Sequence, residues 1–547
     1  MRKILLLQPP VRDFYDTAIR LQPIGLCSLK AAVGKYLPAC QVEVRDFHQG
    51  RGRSTIALPA ELAYLRDYYT GPDRSPFCTF SQYSHFGASF EAIAGEVAAA
   101  RPDLVGISAL FTPYYREVLA CAAAIKNKIN VPIMVGGSHV SCAPQSILAE
   151  PCVDYIVRGE GERPLVEFLA AVDRGGELAH VPNLGFRKNG GLIFNPLEAN
   201  FPLRELPSPD YTDLPVGRYL YGRRPVCFLL TSRGCPHGCA FCSVHLTFGS
   251  RYRRRSPASI VREMEERYAA GYRVFDFEDD NLTFDLAAIK ELCRLIIERF
   301  AGCELELLAM NGISYASLDD ECLALMRQAG FTHLNLALVS ADQGVLAAVR
   351  RPHTVGKFVE VVATAARLGF RIVAHQILGL PSESLASMIE TLALLARQPL
   401  LIGVSVFYLT PGAPIAVEFP EMTATDFFLS RSTAMAIETE HCRRDQLFTL
   451  FVTARILNFL KGLTVANDEA ILSELLAGAA PERDRTGLGL SLLATLFAEK
   501  QLYAVDRNGR RPVTRFDPEL FFRVWKAIGT LTTQDGRRIH LQSRELS

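Results

Sequence analysis

Apolar positions along the chain fall into two successive series of short runs alternating with helical stretches. In the first, KILLLQPP reads as a buried strand, IGLCSLKAAVGKYL as a helix, QVEVRDF and PDLVGISALF as strands, and REVLACAAAIKNK as a helix. VPIMVGGSH is a strand ending in paired glycines, and VDYIVRGEGERPLVEFLAAV adds a strand, a glycine turn and a helix. This alternation predicts a doubly wound, Rossmann-like α/β domain over residues 1–182, with ligands at the carboxyl ends of its strands.

The second series starts at RRPVCFLLTS, followed by a cysteine-bearing loop and the helix SPASIVREMEERYAAGYR, which opens at Ser256 with Pro257 in the first helical position. Strand patterns recur in VFDFEDDNLTFD, LELLAMNG, HLNLALVS, RIVAHQILGLPSES and IGVSVFYLTPGAP, with helical patterns between them. Six βα repeats over residues 223–420 predict a partial (β/α)6, TIM-like barrel whose active face is the carboxyl edge of its strands. Residues 183–222, with a hairpin signal at Asn189-Gly190 and then a proline-rich stretch, read as a semi-rigid linker. From 421 to 547 the pattern predicts a mainly helical C-terminal domain, either closing the barrel mouth or purely structural.

The chain's 547 residues, 49% of them hydrophobic, suffice for several domains with sizeable cores. Its 59 basic and 58 acidic residues favour no polyanionic partner, so nucleic acid is not expected. MRKILLLQPP has too short an apolar run for a signal peptide, and nothing approaches the roughly 20 apolar residues of a membrane span, so a cytoplasmic location is expected. Of fourteen cysteines, three cluster and the other eleven sit singly, which suits core filling rather than a disulfide scaffold.

The trio is Cys235, Cys239 and Cys242 in TSRGCPHGCAFCSVHLTFG. Structural zinc takes four ligands, so a zinc site would need His237 or His245. Three thiolates alone suit a [4Fe-4S] cubane with one iron open to a ligand.

Cys-x-x-x-Cys-x-x-Cys with Phe241 before the last cysteine resembles the signature of the radical S-adenosylmethionine (SAM) superfamily. The resemblance implies that S-adenosyl-L-methionine binds the open iron and is cleaved to a 5′-deoxyadenosyl radical. It also implies cofactor contacts: Phe241 beside the cluster, and Glu278, Asp279 or Asp280 at the amino group, although the common Gly-Gly-Glu form is absent. Asn335 and Ser340 would reach the ribose or carboxylate, and Gly379 and Pro381 in GLPSES the adenine. Each of these is equally an ordinary βα turn residue.

The first domain resembles the cobalamin-binding domain that precedes many such barrels. The residues that carry the likeness are Gln8 and Pro9, Gly25, then Gly136, Gly137 and Ser138 in VGGSH, and Gly159, Glu160 and Gly161 in RGEGE. The Asp-x-His-x-x-Gly motif that supplies an axial histidine is absent. Phe111 and Tyr114 would then cover the lower face of cobalt, or simply pack, and His139 reads as a polar loop residue. Residues 1 to about 420 thus resemble a cobalamin-binding radical SAM enzyme. The likeness implies methylation of an unactivated carbon or phosphorus centre in a small-molecule or natural-product-like substrate, with an external electron donor. A radical oxidative cyclase and a non-catalytic cobalamin or metal sensor are the alternatives.

Overall fold

In the computed structural model, which describes residues 3–15, 22–69, 71–478 and 484–541, the first series of strands pairs into one seven-stranded sheet. Its strands are β1 (Lys3–Gln8), β2 (Gln41–Asp46), β3 (Leu104–Ser108), β4 (Ile133–Gly136), β5 (Tyr155–Val157), β6 (Leu184–Lys188) and β7 (Gly191–Phe194), in the order β7-β6-β5-β4-β3-β1-β2. The first five are parallel. Ile4, Leu5, Leu6 and Leu7 are each at most 2% exposed, as a strand covered on both faces requires. The chain leaves β1 for β2 on one side and returns to β3 on the other, so a crevice opens at the carboxyl ends of β1 and β3.

The hairpin at Asn189-Gly190 forms, with φ of 52° and 80° at its two turn residues, the geometry that suits twisted strands. It pairs antiparallel to β5, so the first sheet runs to Phe194 and takes in the start of the segment read as linker. The hairpin covers an edge that β5 would otherwise expose. The rest of that segment is packed rather than a spacer. Tyr211 donates its hydroxyl to Phe228 O at 2.8 Å, and Tyr219 donates to Asp46 Oδ2 at 2.5 Å, stapling the two domains.

The second series forms six parallel strands: β8 (Arg224–Leu229), β9 (Val274–Phe277), β10 (Glu306–Leu308), β11 (His333–Val339), β12 (Arg371–Leu378) and β13 (Leu401–Val406). A single parallel bridge between Leu307 and Phe331 joins the two three-strand halves. The outer helices α1 (Pro257–Ala269), α2 (Leu286–Arg299), α3 (Asp320–Ala329), α4 (Val355–Arg367) and α5 (Leu385–Ala396) each start at a Ser, Asp or Thr whose side chain accepts a backbone N–H. In the C-terminal domain, α6 (Arg444–Lys461) packs on β13. Asn458 exchanges two 2.8 Å hydrogen bonds with the Ile402 backbone there, capping the open edge of the barrel. The remainder is mainly helical, with a hairpin and a small three-stranded sheet.

Candidate active site

Beyond the carboxyl end of β8, Ser232–Arg233 and Arg253–Arg254 pair antiparallel and hold the residues between them as a loop. Gly234 enters it with φ +83°, and a Cβ there would lie 2.5 Å from Arg251 O, so the turn requires glycine. Ala240 N–H donates to Val349 O at 2.9 Å, and Ile415 N–H donates to Ala240 O at 2.8 Å. Phe241 packs with Ala240 against Val339, Leu380, Phe407 and Leu409, so its ring anchors the loop.

The three thiols of this loop share one neighbourhood. Burial pushes the Cys242 thiol up to about 11, reinforced by Cys239, Cys235 and Asp280. Burial also raises Cys239, against which Arg351 sets a guanidinium 3.8 Å from Sγ. Asn281 Nδ2 lies 3.6 Å from Cys235 Sγ. Three thiolates this close need compensating positive charge, which a metal centre supplies. Among the described residues no three His, Cys, Asp or Glu side chains converge as ligands of one ion. A cubane gives each thiolate its own iron and needs no such convergence.

A cavity of about 1150 Å³ opens between the carboxyl edges of the sheet and the barrel. From the first domain it is lined by Gln8, Gly25, Phe111, Gly136, Gly137, Ser138, Gly159, Glu160 and Gly161. Gly137 takes φ +121°, and a Cβ there would lie 2.6 Å from Ala109 O. Leu110 and Phe111 remain 40% and 41% exposed at its wall, apolar surface suited to covering a flat ligand.

The barrel contributes an acidic wall of Asp276, Glu278 and Asp280. Asn311 donates to Glu278 at 2.9 Å, and Gly234 N–H donates to Asp280 at 3.1 Å. Burial raises the Asp280 carboxyl to about 6.

Several expected contacts lie elsewhere. Asp279 is 1% exposed, and its carboxylate accepts from the amides and hydroxyls of both Thr231 and Ser232. It holds the approach to the cysteine loop, with four of these donors on Oδ1 and only a share of the Thr231 amide on Oδ2, and it does not line the cavity. Ser340 is fully buried and donates to Glu383 at 2.6 Å. Asn335 turns to Ala309 O and Met310 Sδ, both at 3.5 Å. A Cβ at Gly379 would lie 2.9 Å from Leu447 Cδ2, so the C-terminal domain packs against that turn; neither it nor Pro381 lines the cavity. Pro9 is buried beside the cavity wall, and Tyr114 donates to Asp13 at 2.9 Å with Arg431 over its ring, so it packs rather than covers. His139 is 1% exposed between Thr112 and Ser146, and burial lowers it to about 4.

The sequence did not expose Arg233. Its guanidinium bonds Glu160 and Glu162 at 2.6 Å each, while Asn200 donates to both carboxylates and Arg253 also binds Glu160. This clasp joins the RGEGE turn to the strand that leads into the cysteine loop. An arginine in TSRGC was the available signal, but its partners lie some seventy residues upstream. Asp276, an acid within the apolar VFDF run, and the cavity-lining Gln22 and Gln49 were likewise passed over.

The model of the Radical SAM superfamily matches residues 229–395, and that of the B12 binding domain matches residues 52–169. An uncharacterized methyltransferase of Pyrococcus horikoshii is 29% identical over 301 residues, covering 54% of this chain and 64% of its own. The anaerobic magnesium-protoporphyrin IX monomethyl ester cyclase of Rubrivivax gelatinosus is 27% identical over 346 residues, 61% of each chain. The matched region thus spans less than two thirds of either relative. Among solved structures, the radical S-adenosylmethionine methyltransferase TsrM of Kitasatospora setae, with cobalamin and a [4Fe-4S] cluster bound, superposes with a TM-score of 0.58 at 21% identity. That superposition covers 76% of this chain and 77% of TsrM, and shows a shared fold.

Proposed function

We propose that this chain, matched by the Radical SAM superfamily model over residues 229–395 and by the B12 binding domain model over residues 52–169, is a cobalamin-dependent radical S-adenosylmethionine methyltransferase acting on an unactivated carbon or phosphorus centre of a small molecule. The observation that carries this is one cavity, walled by the carboxyl edges of both the doubly wound sheet and the barrel and lined as well by Thr247 and Phe248 of the loop that bears the three thiols, none of which lines it.

The residues present fit the groups this requires. Gln22 Nε2 and Gln49 Oε1 are buried without a hydrogen-bond partner, and both residues line the cavity, which suits the carboxamide arms of a corrin. Leu110 and Phe111 suit its flat face. No histidine lines the cavity among the described residues. When bound, the cluster would supply the reducing electron, S-adenosylmethionine the hydrogen-abstracting radical, and cobalamin the methyl carrier.

The chain's own residues do the rest. Cys235, Cys239 and Cys242 would hold three irons and leave the fourth open. Glu278 and Asp280 would receive the ammonium end of S-adenosylmethionine, with Asp279 fixing the loop beside them. Gly25, Gly136, Gly137, Gly159 and Gly161 let backbone approach the corrin and its nucleotide tail closely. No helix among the described residues is long and apolar enough to cross a membrane. A cytoplasmic setting with an external electron donor completes the reading, supported by fourteen cysteines of which none is paired.

The test is anaerobic reconstitution with iron, sulfide and hydroxocobalamin, then S-adenosylmethionine and a strong reductant. 5′-Deoxyadenosine that disappears in Cys235→Ala, with stoichiometric cobalamin, is the expected result; its absence from protein with an intact cluster refutes the proposal. Radical oxidative cyclisation is the second reading, favoured by the likeness to the Rubrivivax cyclase. Methylated product formed in step with deoxyadenosine separates the two.

A further inference from the structure

The turn that follows the helix Gln343–Ala348 grips the cysteine loop at two adjacent residues. Val349 O accepts from Ala240 N–H at 2.9 Å, and Arg351 reaches the neighbouring Cys239, one guanidinium nitrogen lying 3.8 Å from Sγ. Arg350 between them takes φ +54°, a left-handed conformation that a non-glycine residue keeps only where its surroundings fix it. A second guanidinium nitrogen of Arg351 donates to Ala337 O at 2.7 Å, where the pairing of β11 with β12 shifts register. Its Nε is buried without a partner, and among the described residues Arg351 forms no ion pair with a carboxylate. A half-buried cation held this way lacks its counter-charge until anionic sulfur stands beside it.

The three thiols have three different donors. Cys235 Sγ lies 3.6 Å from the neutral amide of Asn281, Cys239 faces the Arg351 cation, and Cys242 takes the backbone N–H of Val244. Asn281 is 2% exposed, so its amide is fixed beside the sulfur. Only the Cys239 corner thus receives a full positive charge from its donor. Reducing an iron-sulfur cluster adds one electron and makes no bond, so a positive charge or a hydrogen bond at a coordinating sulfur stabilises the reduced state.

We propose that Arg351 is a positioning residue that holds the Cys239 thiolate and raises the reduction potential of the cluster, bringing it within reach of an external one-electron donor. Asn281 acts in the same sense at Cys235 and, being neutral, more weakly. This rests on the radical S-adenosylmethionine reading, because it presupposes the three-thiolate cluster.

The test is an anaerobic potentiometric titration of the reconstituted full chain without S-adenosylmethionine, following the paramagnetic signal of the reduced cluster. In Arg351→Gln the ratio of reduced to oxidised cluster at a fixed potential should fall about tenfold, a midpoint 59 mV more negative for one electron. Arg351→Lys keeps the charge and should recover at least half of that shift, while Asn281→Leu should move the midpoint the same way by less. A midpoint that stays put in Arg351→Gln while iron content falls marks a merely structural residue and overturns the proposal. An unmoved midpoint with weaker S-adenosylmethionine binding assigns Arg351 to that ligand and overturns it too. Pulsed paramagnetic resonance of wild type grown on 15N-arginine needs no stable Arg351→Gln: a nitrogen coupling to the reduced cluster that changes on labelling and is lost in Arg351→Lys is expected, and its absence overturns the proposal. Iron and sulfide content are read first. Wild type without a [4Fe-4S] cluster refutes the parent reading and this inference with it, whereas a cluster whose midpoint ignores Arg351 overturns this inference alone.

Discussion

Replacing Arg233 with methionine removes one guanidinium from between two buried carboxylates while keeping the bulk of the stem. The Glu160 and Glu162 side chains are only 8% and 4% exposed, and Arg233 bonds both at 2.6 Å. After the change Glu160 keeps Arg253 and Asn200, but Glu162 loses its ion pair and keeps the Asn200 amide at 2.7 Å and its own backbone N–H. Breaking a buried pair by removing one partner costs about 3–5 kcal/mol. With one of the two carboxylates still compensated, a loss near the lower end, about 3 kcal/mol, is predicted. Arg233→Met/Glu162→Leu removes the stranded charge as well and should recover at least about 1 kcal/mol of that loss.

Urea unfolding followed by circular dichroism, with bound iron measured alongside, checks this by comparing midpoints, since a chain of several domains does not unfold in two states. Arg233→Met should unfold earlier and retain less iron. Burial pushes the Glu162 carboxyl up, but Arg233 outweighs it and holds the group below its usual range. The contribution of the clasp is therefore present above the unfolded carboxyl pKa of about 4.3 and fades as pH falls below it. Arg233→Met within about 0.5 kcal/mol of wild type, or a double variant no better than the single, would refute the reasoning.

Other residues yield sharper local tests. His139 has a folded pKa of about 4 against about 6.5 unfolded, so the unfolded chain binds more protons between those values and stability falls by up to about 3 kcal/mol as pH drops through them; His139→Gln should flatten that stretch of the pH–stability curve. Gly137→Ala places a Cβ 2.6 Å from Ala109 O at φ +121° and should destabilise by about 1–3 kcal/mol. Gly25→Ala meets nothing within 4 Å but lines the cavity, so it should keep its unfolding midpoint and bind hydroxocobalamin more weakly in a spectral titration. Asp279→Asn leaves at least one donor of Thr231 and Ser232 unmatched and should cost about 1–3 kcal/mol and lower iron content, whereas Asp280→Asn should keep iron and weaken S-adenosylmethionine binding.

Much of this architecture was legible because local pattern and tertiary role agree. The ILLL run of β1 and the capped amphipathic helices of the barrel announce elements buried on known faces. The glycines at the ends of β4 and β5 stand out in the sequence, and the structure places them along the cavity. Side-chain direction was not legible. Glu278, Asp279 and Asp280 are adjacent in sequence, yet two face the cavity and one turns into the Thr231–Ser232 amides. Ser340 and Tyr114 likewise have buried partners 43 and 101 residues away, which no local pattern encodes. The hairpin at Asn189-Gly190 was visible, but not that β5 would take it as an edge.

The most direct measurement is the electron paramagnetic resonance spectrum of the reduced, reconstituted protein before and after S-adenosylmethionine is added. A [4Fe-4S] signal whose shape changes on addition, and that is lost in Cys235→Ala, is the result predicted for three protein thiolates and one open iron. A spectrum indifferent to S-adenosylmethionine, or a preparation that holds one zinc ion in place of iron, would contradict it.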